Sequence, residues 1–297
     1  MPTTTENAYA KINLFLDVIS KREDGFHNIQ TVMQTVSLCD SISVSAAPSE
    51  KTKITLSVTH LRGDFLPEGE DNLAYRAADT YLNASGICAE VDITLIKRIP
   101  IAAGLGGGSS DAAAVLRAMN RIFGTVDEKT LLSLATALGS DVPFCLVGGC
   151  KVCEGRGEII HPLSDCDADG KMFFVIISPS ISISTPKAYA ELDTIYGDFQ
   201  TKVRRDFVRE YSDFISALAN NKTPVKTLYN VFEECPYSFT DEVKKAKAAL
   251  LKNGALCALM SGSGPACFGI FKTKSEAERA CEILNKQNIK AYYAESI

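Results

Sequence analysis

Pro100-Ile-Ala-Ala-Gly-Leu-Gly-Gly-Gly-Ser-Ser110 is where a strand pattern stops and a helix pattern begins. Before it, Val91, Ile93 and Leu95 recur at period two, predicting a strand that ends near Arg98. After it, Ala112, Val115, Leu116, Met119, Ile122 and Phe123 fall at helical spacing, and Gly124 closes the helix. Three consecutive glycines let the backbone approach a ligand closely. The helix is expected to start at about Ser109, so its unpaired N–H groups and positive end face the same space. Such a site receives phosphate. Ser109 and Ser110 add hydroxyls, and Ser110 is a candidate for a metal ion. No Gly-Lys-Ser/Thr follows, so this is not a Walker A loop. Gly104-x-Gly106-x-x-Ser109 lacks the third glycine of a dinucleotide fingerprint. A flexible connector whose serine caps a helix is the plainer alternative.

Working outward, Ile12, Leu14, Leu16 and Val18 alternate with Lys11, Asn13, Phe15 and Asp17. They predict a strand over Ala8 to Ile19 with one buried face, Lys11 and Asn13 projecting from the other. Lys21 to His27 is a charged loop with a glycine turn. Gln30 to Val44 and Lys53 to Thr59 read as strands. Asn72 to Leu82 reads as a helix capped by Asp71 or Asn72. Asp127 to Leu138 is a second amphipathic helix. Gly139-Ser-Asp-Val-Pro is a turn, with apolar strands expected from there through Val152. The polar run Pro162 to Lys171 marks a change of composition. Beyond it come a strand at Met172 to Ser178 and helices near Arg204 to Ala219 and Thr240 to Asn253. Strand, turn, strand and helix follow over Ala255 to Gln287, and a last strand over Lys290 to Glu295. Two domains are expected, 1–160 and 161–297.

A net charge of −5 gives no global reason to bind nucleic acid or an anionic membrane, so an anionic ligand must be caught locally. No stretch approaches the roughly 20 apolar residues of a membrane span. The N-terminus lacks the basic segment of a signal peptide, and a cytoplasmic location is the default. Of ten cysteines only Cys150 and Cys153 form Cys-x-x-Cys, without the second pair a zinc site needs. That segment reads as a strand, so free thiols are expected.

Asp141 lies in Leu138-Gly-Ser-Asp-Val-Pro143. It reads either as a turn or cap aspartate or as a carboxylate at a pocket wall. In the second role it would accept the proton of a hydroxyl during phosphoryl transfer. Lys11 reads as a solvated lysine or as a cation that stabilises developing charge. A second glycine motif, Met260-Ser-Gly-Ser-Gly-Pro-Ala266, is either a hairpin turn or a second phosphate-lining segment near the first loop.

Ala10-Lys-Ile-Asn-Leu14, Pro100 to Ser110 and Ser261-Gly-Ser-Gly-Pro265, in that order, resemble the three motifs of the GHMP kinases. That family is named for galactokinase, homoserine, mevalonate and phosphomevalonate kinases. Lys21-Arg-Glu-Asp-Gly-Phe-His27, Met33-Gln-Thr-Val, Leu138 to Phe144 and Glu154-Gly-Arg-Gly-Glu158 strengthen the likeness. They bring it closest to members that phosphorylate a cytidine diphosphate-linked methylerythritol. The N-terminal half is covered densely, the C-terminal half only by Thr185-Pro186 and the late glycine motif.

The resemblance implies an α+β fold of two domains. The N-terminal one would be a ribosomal-protein-like β/α domain and the C-terminal one an α/β sandwich, with ATP and substrate in the cleft between. It implies that Lys11 and Asp141 meet as the catalytic pair. ATP would be held by Pro100, Ile101, Ala102, Ala103, Gly104, Leu105, Gly106, Gly107, Gly108, Ser109 and Ser110. Asn72 and Lys97 would contact adenosine, with Mg²⁺ accompanying the nucleotide. Asn13 would contact the polyol or diphosphate of the substrate. Phe26 and His27 would hold cytosine, with Tyr189 stacking and Thr185 nearby. Phe26 stands where the family usually has Tyr; it keeps the stacking face and loses the hydroxyl. Each of these has a plainer reading: Phe26 and Tyr189 as core, His27 as surface loop, Asn72 as helix cap, Lys97 as solvated strand end. His60 and His161 match nothing and read as structural. Homoserine or mevalonate phosphorylation is the competing activity, and Arg-x-Asp-Gly-Phe-His argues against it. A non-catalytic relative would have lost Lys11 or Asp141, and an RNA-binding module would carry a basic stripe.

Overall fold

The computed structural model describes residues 1–60, 66–162, 171–197, 199, 212–213, 216–217 and 227–297. Most of the helix expected near Arg204 to Ala219 and most of the polar run after Pro162 lie outside the described residues. By internal contact the chain forms two compact units. One comprises Met1–Lys11, Leu38–Ile101 and Gly106–Gly148; the other comprises Ile12–Ser37, Ala102–Leu105 and Gly149–Ile297. A single cut at 160 divides the chain in sequence. The contact units interleave because the first two strands, β1 (Thr3–Lys21) and β2 (His27–Pro48), are each long enough to serve both.

In the first unit the strand order is β3-β4-β2-β1, with β3 at Lys53–His60 and β4 at Ala89–Lys97. β3 and β4 are parallel, joined through helix α1 (Leu73–Ser85). β2 and β4 are antiparallel with Ser41 opposite Ile96, so Asp40 and Lys97 are the next positions on each strand. Helices α2 (Gly107–Phe123), α3 (Glu128–Leu138) and α4 (Val142–Val147) complete the unit. Its core joins Ile42, Val44, Val91 and Leu95 to Ala78, Tyr81, Val115, Met119 and Leu131. Asn72 does cap α1, its Oδ1 accepting from Ala74 N–H at 2.9 Å, which typically contributes about 1 kcal/mol.

The second unit holds an antiparallel sheet of order β11-β7-β10-β9, formed by Ala291–Glu295, Phe173–Ile177, Cys267–Phe271 and Cys257–Met260. Helices α5 (Thr185–Tyr196), α6 (Asp241–Lys252) and α7 (Lys274–Lys286) belong to it. Val175, Ile177, Val243, Leu250, Phe271 and Leu284 form its core with Ala188 and Leu192. The first half of β2 pairs with β5 (Cys150–Glu154), and β5 with β6 (Ile159–Pro162). β8 (Tyr229–Asn230) runs parallel to β1. No described helix is long and apolar enough to cross a membrane.

Three expectations are corrected. β1 buries both faces: Lys11, Asn13, Phe15 and Asp17 are buried along with Ile12 and Leu14, so side chains of both alternating sets are covered by packing against the sheet. Helix α2 starts at Gly107, two residues early, with Gly106 as its left-handed cap. The apolar run after Asp141 begins with a short helix, α4, carrying Pro143 in its first turn and ended by Gly148.

Candidate active site

Ser110 N–H to Gly106 C=O, 2.8 Å, is the first turn bond of α2. The N–H groups of Gly107, Gly108 and Ser109 precede it and are the helix's free donors for an anion. Two glycines of the loop are fixed by what surrounds them. Gly104 has φ +80, and a Cβ there would stand 2.2 Å from the Ser261 carbonyl oxygen. Gly106 has φ +68, and a Cβ there would stand 2.8 Å from Lys11 Cγ. Only glycine allows the Lys11 stem to lie across the start of α2. Ala102 also takes a left-handed φ of +51, a strain that non-glycine residues carry chiefly at functional sites.

In the first unit Lys11 Nζ lies 3.4 Å from Asp141 Oδ2. Asp141 occupies the N-cap of α4, yet its side chain makes no capping bond. Arg117 of α2, which the sequence did not single out, ties the elements that carry this pair. Its Nη2 donates to Asn7 C=O and its Nε to Glu6 Oε2 on β1, and its Nη1 donates to Cys145 C=O on α4.

Lys97 is buried beside the loop, its Nζ 2.5 Å from Asp40 Oδ2 and 2.7 Å from Asp111 Oδ2. Asp40 Oδ1 also accepts the N–H groups of Arg98 and Ile99. A Cβ on Gly107 would be 3.2 Å from Lys97 Nζ. Burial works against the Lys97 charge, but the two carboxylates prevail and raise its pKa. Burial, opposed by Lys97 and reinforced by Asp40, pushes the Asp111 carboxyl up to about 8. Asp111 Oδ1 is buried and has no hydrogen-bond partner among the described residues. Asn72 is engaged at both ends, by Ala74 and by Pro67 C=O.

In the second unit Asn13 Nδ2 donates to Thr31 Oγ1 at 2.9 Å, and that hydroxyl donates to Phe15 C=O. The late glycine motif is the loop between β9 and β10, and it packs on the first loop. Ser261 Oγ donates to Gly104 C=O, and Ala266 N–H to Ala103 C=O. Thr185 Oγ1 lies 2.8 Å from Ser263 Oγ. His27 is buried, stacked on Tyr189 at 4.8 Å between centroids and met edge-on by Phe199 at 5.7 Å. Its Nε2 is 2.7 Å from Asp193 Oδ1. Phe26 is exposed, with the Arg156 guanidinium 5.0 Å above its ring. The structure thus brings Lys11 to Asp141, Lys97 to α2, and His27 to Tyr189. Asp40, Asp111, Arg117, Arg156 and Asp193 are additions from tertiary contact. Of these only Arg156 sits inside one of the motifs quoted from the sequence, and Asp111 directly follows another.

Comparison with known proteins follows the same lines. Residues 72–149 match the GHMP kinases N terminal domain, and residues 201–290 match the GHMP kinases C terminal model. A 4-diphosphocytidyl-2-C-methyl-D-erythritol kinase of Caldicellulosiruptor saccharolyticus is 40 % identical over 93 % of this chain and 91 % of its own. One of Geobacter metallireducens is 35 % identical over 97 % and 96 %. A crystal structure of 4-(cytidine 5'-diphospho)-2C-methyl-D-erythritol kinase superposes with a TM-score of 0.77 at 34 % identity, covering 99 % of both chains. A homoserine kinase from Cytophaga hutchinsonii, at 20 % identity and TM-score 0.70, shares the fold.

Proposed function

This chain belongs to the GHMP kinase family, and on that footing we infer that it moves the γ-phosphoryl group of ATP to the 2-hydroxyl of 4-diphosphocytidyl-2-C-methyl-D-erythritol, within the non-mevalonate route to isoprenoid precursors. It is an ATP-dependent small-molecule kinase with the two-domain α+β fold of the family. The observation that carries the mechanism is the Lys11–Asp141 pair, joined to the N-terminus of α2 by the close approach of Lys11 to Gly106.

The loop 100–110 holds the phosphates, with the N–H groups of Gly107 to Ser109 as donors. Asp141 accepts the proton of the 2-hydroxyl as its oxygen bonds to the γ-phosphorus. The bond from that phosphorus to the bridging oxygen breaks, and ADP departs. Lys11 offsets the charge developing on the transferred group. Asn13 meets the polyol or diphosphate of the acceptor. His27, Tyr189 and Phe26 take the cytosine, Phe26 by its exposed face alone, with Thr185 beside them. Asn72 and Lys97 belong to the adenosine side. With their polar atoms engaged by Ala74, Pro67, Asp40 and Asp111, they shape its wall rather than read the base.

Mg²⁺ neutralises phosphate charge in such transfers. Among the described residues no three His, Cys, Asp or Glu side chains group to cage a metal. Ser110 Oγ, at the start of α2, would be the protein's ligand to such an ion, which would supply neutralisation of phosphate charge. Ser110 gives its hydrogen to Gly107 C=O, which leaves its lone pairs for the ion.

The test is ADP release by purified protein with ATP and one acceptor at a time: 4-diphosphocytidyl-2-C-methyl-D-erythritol, homoserine or mevalonate. Turnover is expected with the first alone, and turnover driven only by homoserine overturns the substrate.

A further inference from the structure

We propose that Asp193 makes the substrate corner selective for a 4-aminopyrimidine by fixing the tautomer of His27; this rests on the reading above in which His27 contacts the base.

Asp193 lies on α5, one turn beyond Tyr189. Its two oxygens are divided between two partners. Oδ2 takes Lys21 Nζ at 2.6 Å and Oδ1 takes His27 Nε2 at 2.7 Å. Burial works against ionisation of this carboxyl, but the hydrogen bonds from Lys21 and His27 outweigh it and hold its pKa below the usual range. An ionised carboxylate only accepts, so the hydrogen sits on Nε2 of the histidine. In a neutral imidazole the other nitrogen, Nδ1, is then a bare acceptor. The only side-chain hydrogen bond of His27 among the described residues is the one through Nε2. Tyr189 on its face and Phe199 at its edge hold the plane of the ring.

Cytosine carries an amino donor at C4, where uracil carries a carbonyl acceptor. A bare Nδ1 accepts from the first and meets the second lone pair to lone pair. Selectivity of this kind is large, because the wrong base leaves a desolvated acceptor unpaired. Asp193 is therefore a positioning residue, acting through His27.

Asp193→Asn keeps the shape and makes a sharp prediction. Lys21 can only donate, so it claims the amide oxygen. The amide NH₂ then faces Nε2, which must accept, and the ring hydrogen moves to Nδ1. The experiment uses the full chain labelled with ¹⁵N, at roughly pH 8 so that an ordinary imidazole is neutral, to read the His27 tautomer. In parallel, kcat/KM is measured for the cytidine diphosphate-linked methylerythritol and its uridine counterpart. The wild type is expected to hold Nε2–H and the variant Nδ1–H. The cytidine-to-uridine ratio is expected to fall at least about 10-fold in the variant. Adding Lys21→Met frees the amide to turn, and is expected to restore Nε2–H and part of the ratio. An unchanged tautomer in Asp193→Asn overturns the proposal. So does a changed tautomer with an unchanged ratio, where His27→Ala does collapse that ratio. If His27→Ala leaves the ratio untouched, the assignment of His27 to the base has failed, and this inference falls with it.

Discussion

Lys11 Nζ stands 3.4 Å from Asp141 Oδ2, and the two side chains differ in exposure, 6 % against 32 %. The lysine is buried behind the carboxylate, and the carboxylate keeps an open side. That is the arrangement a hydroxyl acceptor requires: a fixed cation that does not block approach.

Asp141→Asn is expected to lower kcat by about 10² to 10⁴ with little change in ATP affinity, since a base assists chemistry more than ground-state binding. Steady-state kinetics beside calorimetric titration with a non-hydrolysable ATP analogue checks this. Full turnover in the variant removes Asp141 from the role.

Arg117 bonds Glu6 and Asn7 on the strand of Lys11 and Cys145 on the helix of Asp141. Arg117→Met leaves carbonyls without their charged donor, at a cost of about 1–3 kcal/mol. It is also expected to reduce kcat roughly 10-fold or more, because small misplacements of reacting groups are expensive. Urea unfolding and kcat measured on the same preparation separate the two effects. A stability loss without a kcat loss shows that the Lys11–Asp141 geometry does not depend on this tie.

Gly104 and Gly106 are expected to fail differently. Gly104→Ala drives a Cβ into the backbone oxygen of Ser261, which has no rotamer to yield. Gly106→Ala meets the Lys11 side chain, which can move. Both pay the left-handed penalty of about 1–2 kcal/mol. Gly104→Ala is expected to lose clearly more than that, by thermal unfolding. Gly106→Ala is expected to stay near that cost while losing kcat through displacement of Lys11.

The buried Asp40–Lys97–Asp111 group makes stability depend on pH. The Asp111 carboxyl is raised from its ordinary value of 3.8 to about 8 in the folded protein. Between those values the native state binds more protons at this site than the unfolded chain. Its contribution to stability is therefore full below about pH 4 and is lost as pH rises toward 8. Asp111→Asn removes the titration. The stability of wild type minus variant, from urea unfolding across this range, is expected to fall as pH rises. A difference that stays flat or rises contradicts the assignment. Lys97→Met, by contrast, leaves the buried Asp40 carboxylate without its cation and is expected to cost about 3–5 kcal/mol.

Much of this was legible in the chain. The strand before the Gly-rich stretch and the helix after it follow from two clean periodicities, the helix start alone lying two residues earlier than expected. The exceptions have physical causes. Val142 to Val147 is a short apolar run that fits strand or helix equally, and only Pro143 and Gly148 mark it as a turn and a half of helix. Helix α5 escaped notice because it buries only Ala188 and Leu192, too sparse a stripe to show as a period. β1 reads as one-sided because polar residues alternate along its middle, although Lys11, Asn13 and Asp17 are buried there.

By itself the sequence determined that a Gly-rich loop opens a helix, and which residue types flank it. Those are local matters, set by glycine conformation, by the N–H groups of a helix start and by side-chain alternation. Tertiary structure decided the partners. Lys11 meets Asp141 across 130 positions, Lys97 is clamped by Asp40 and Asp111, and His27 is held by Asp193, 166 positions away. The order of charges along a chain does not encode which of them meet; strand register and helix packing do. The Gly-rich loop is therefore legible from its own residues, while the pairing of Lys11 with Asp141 and of His27 with Asp193 is fixed only by folding.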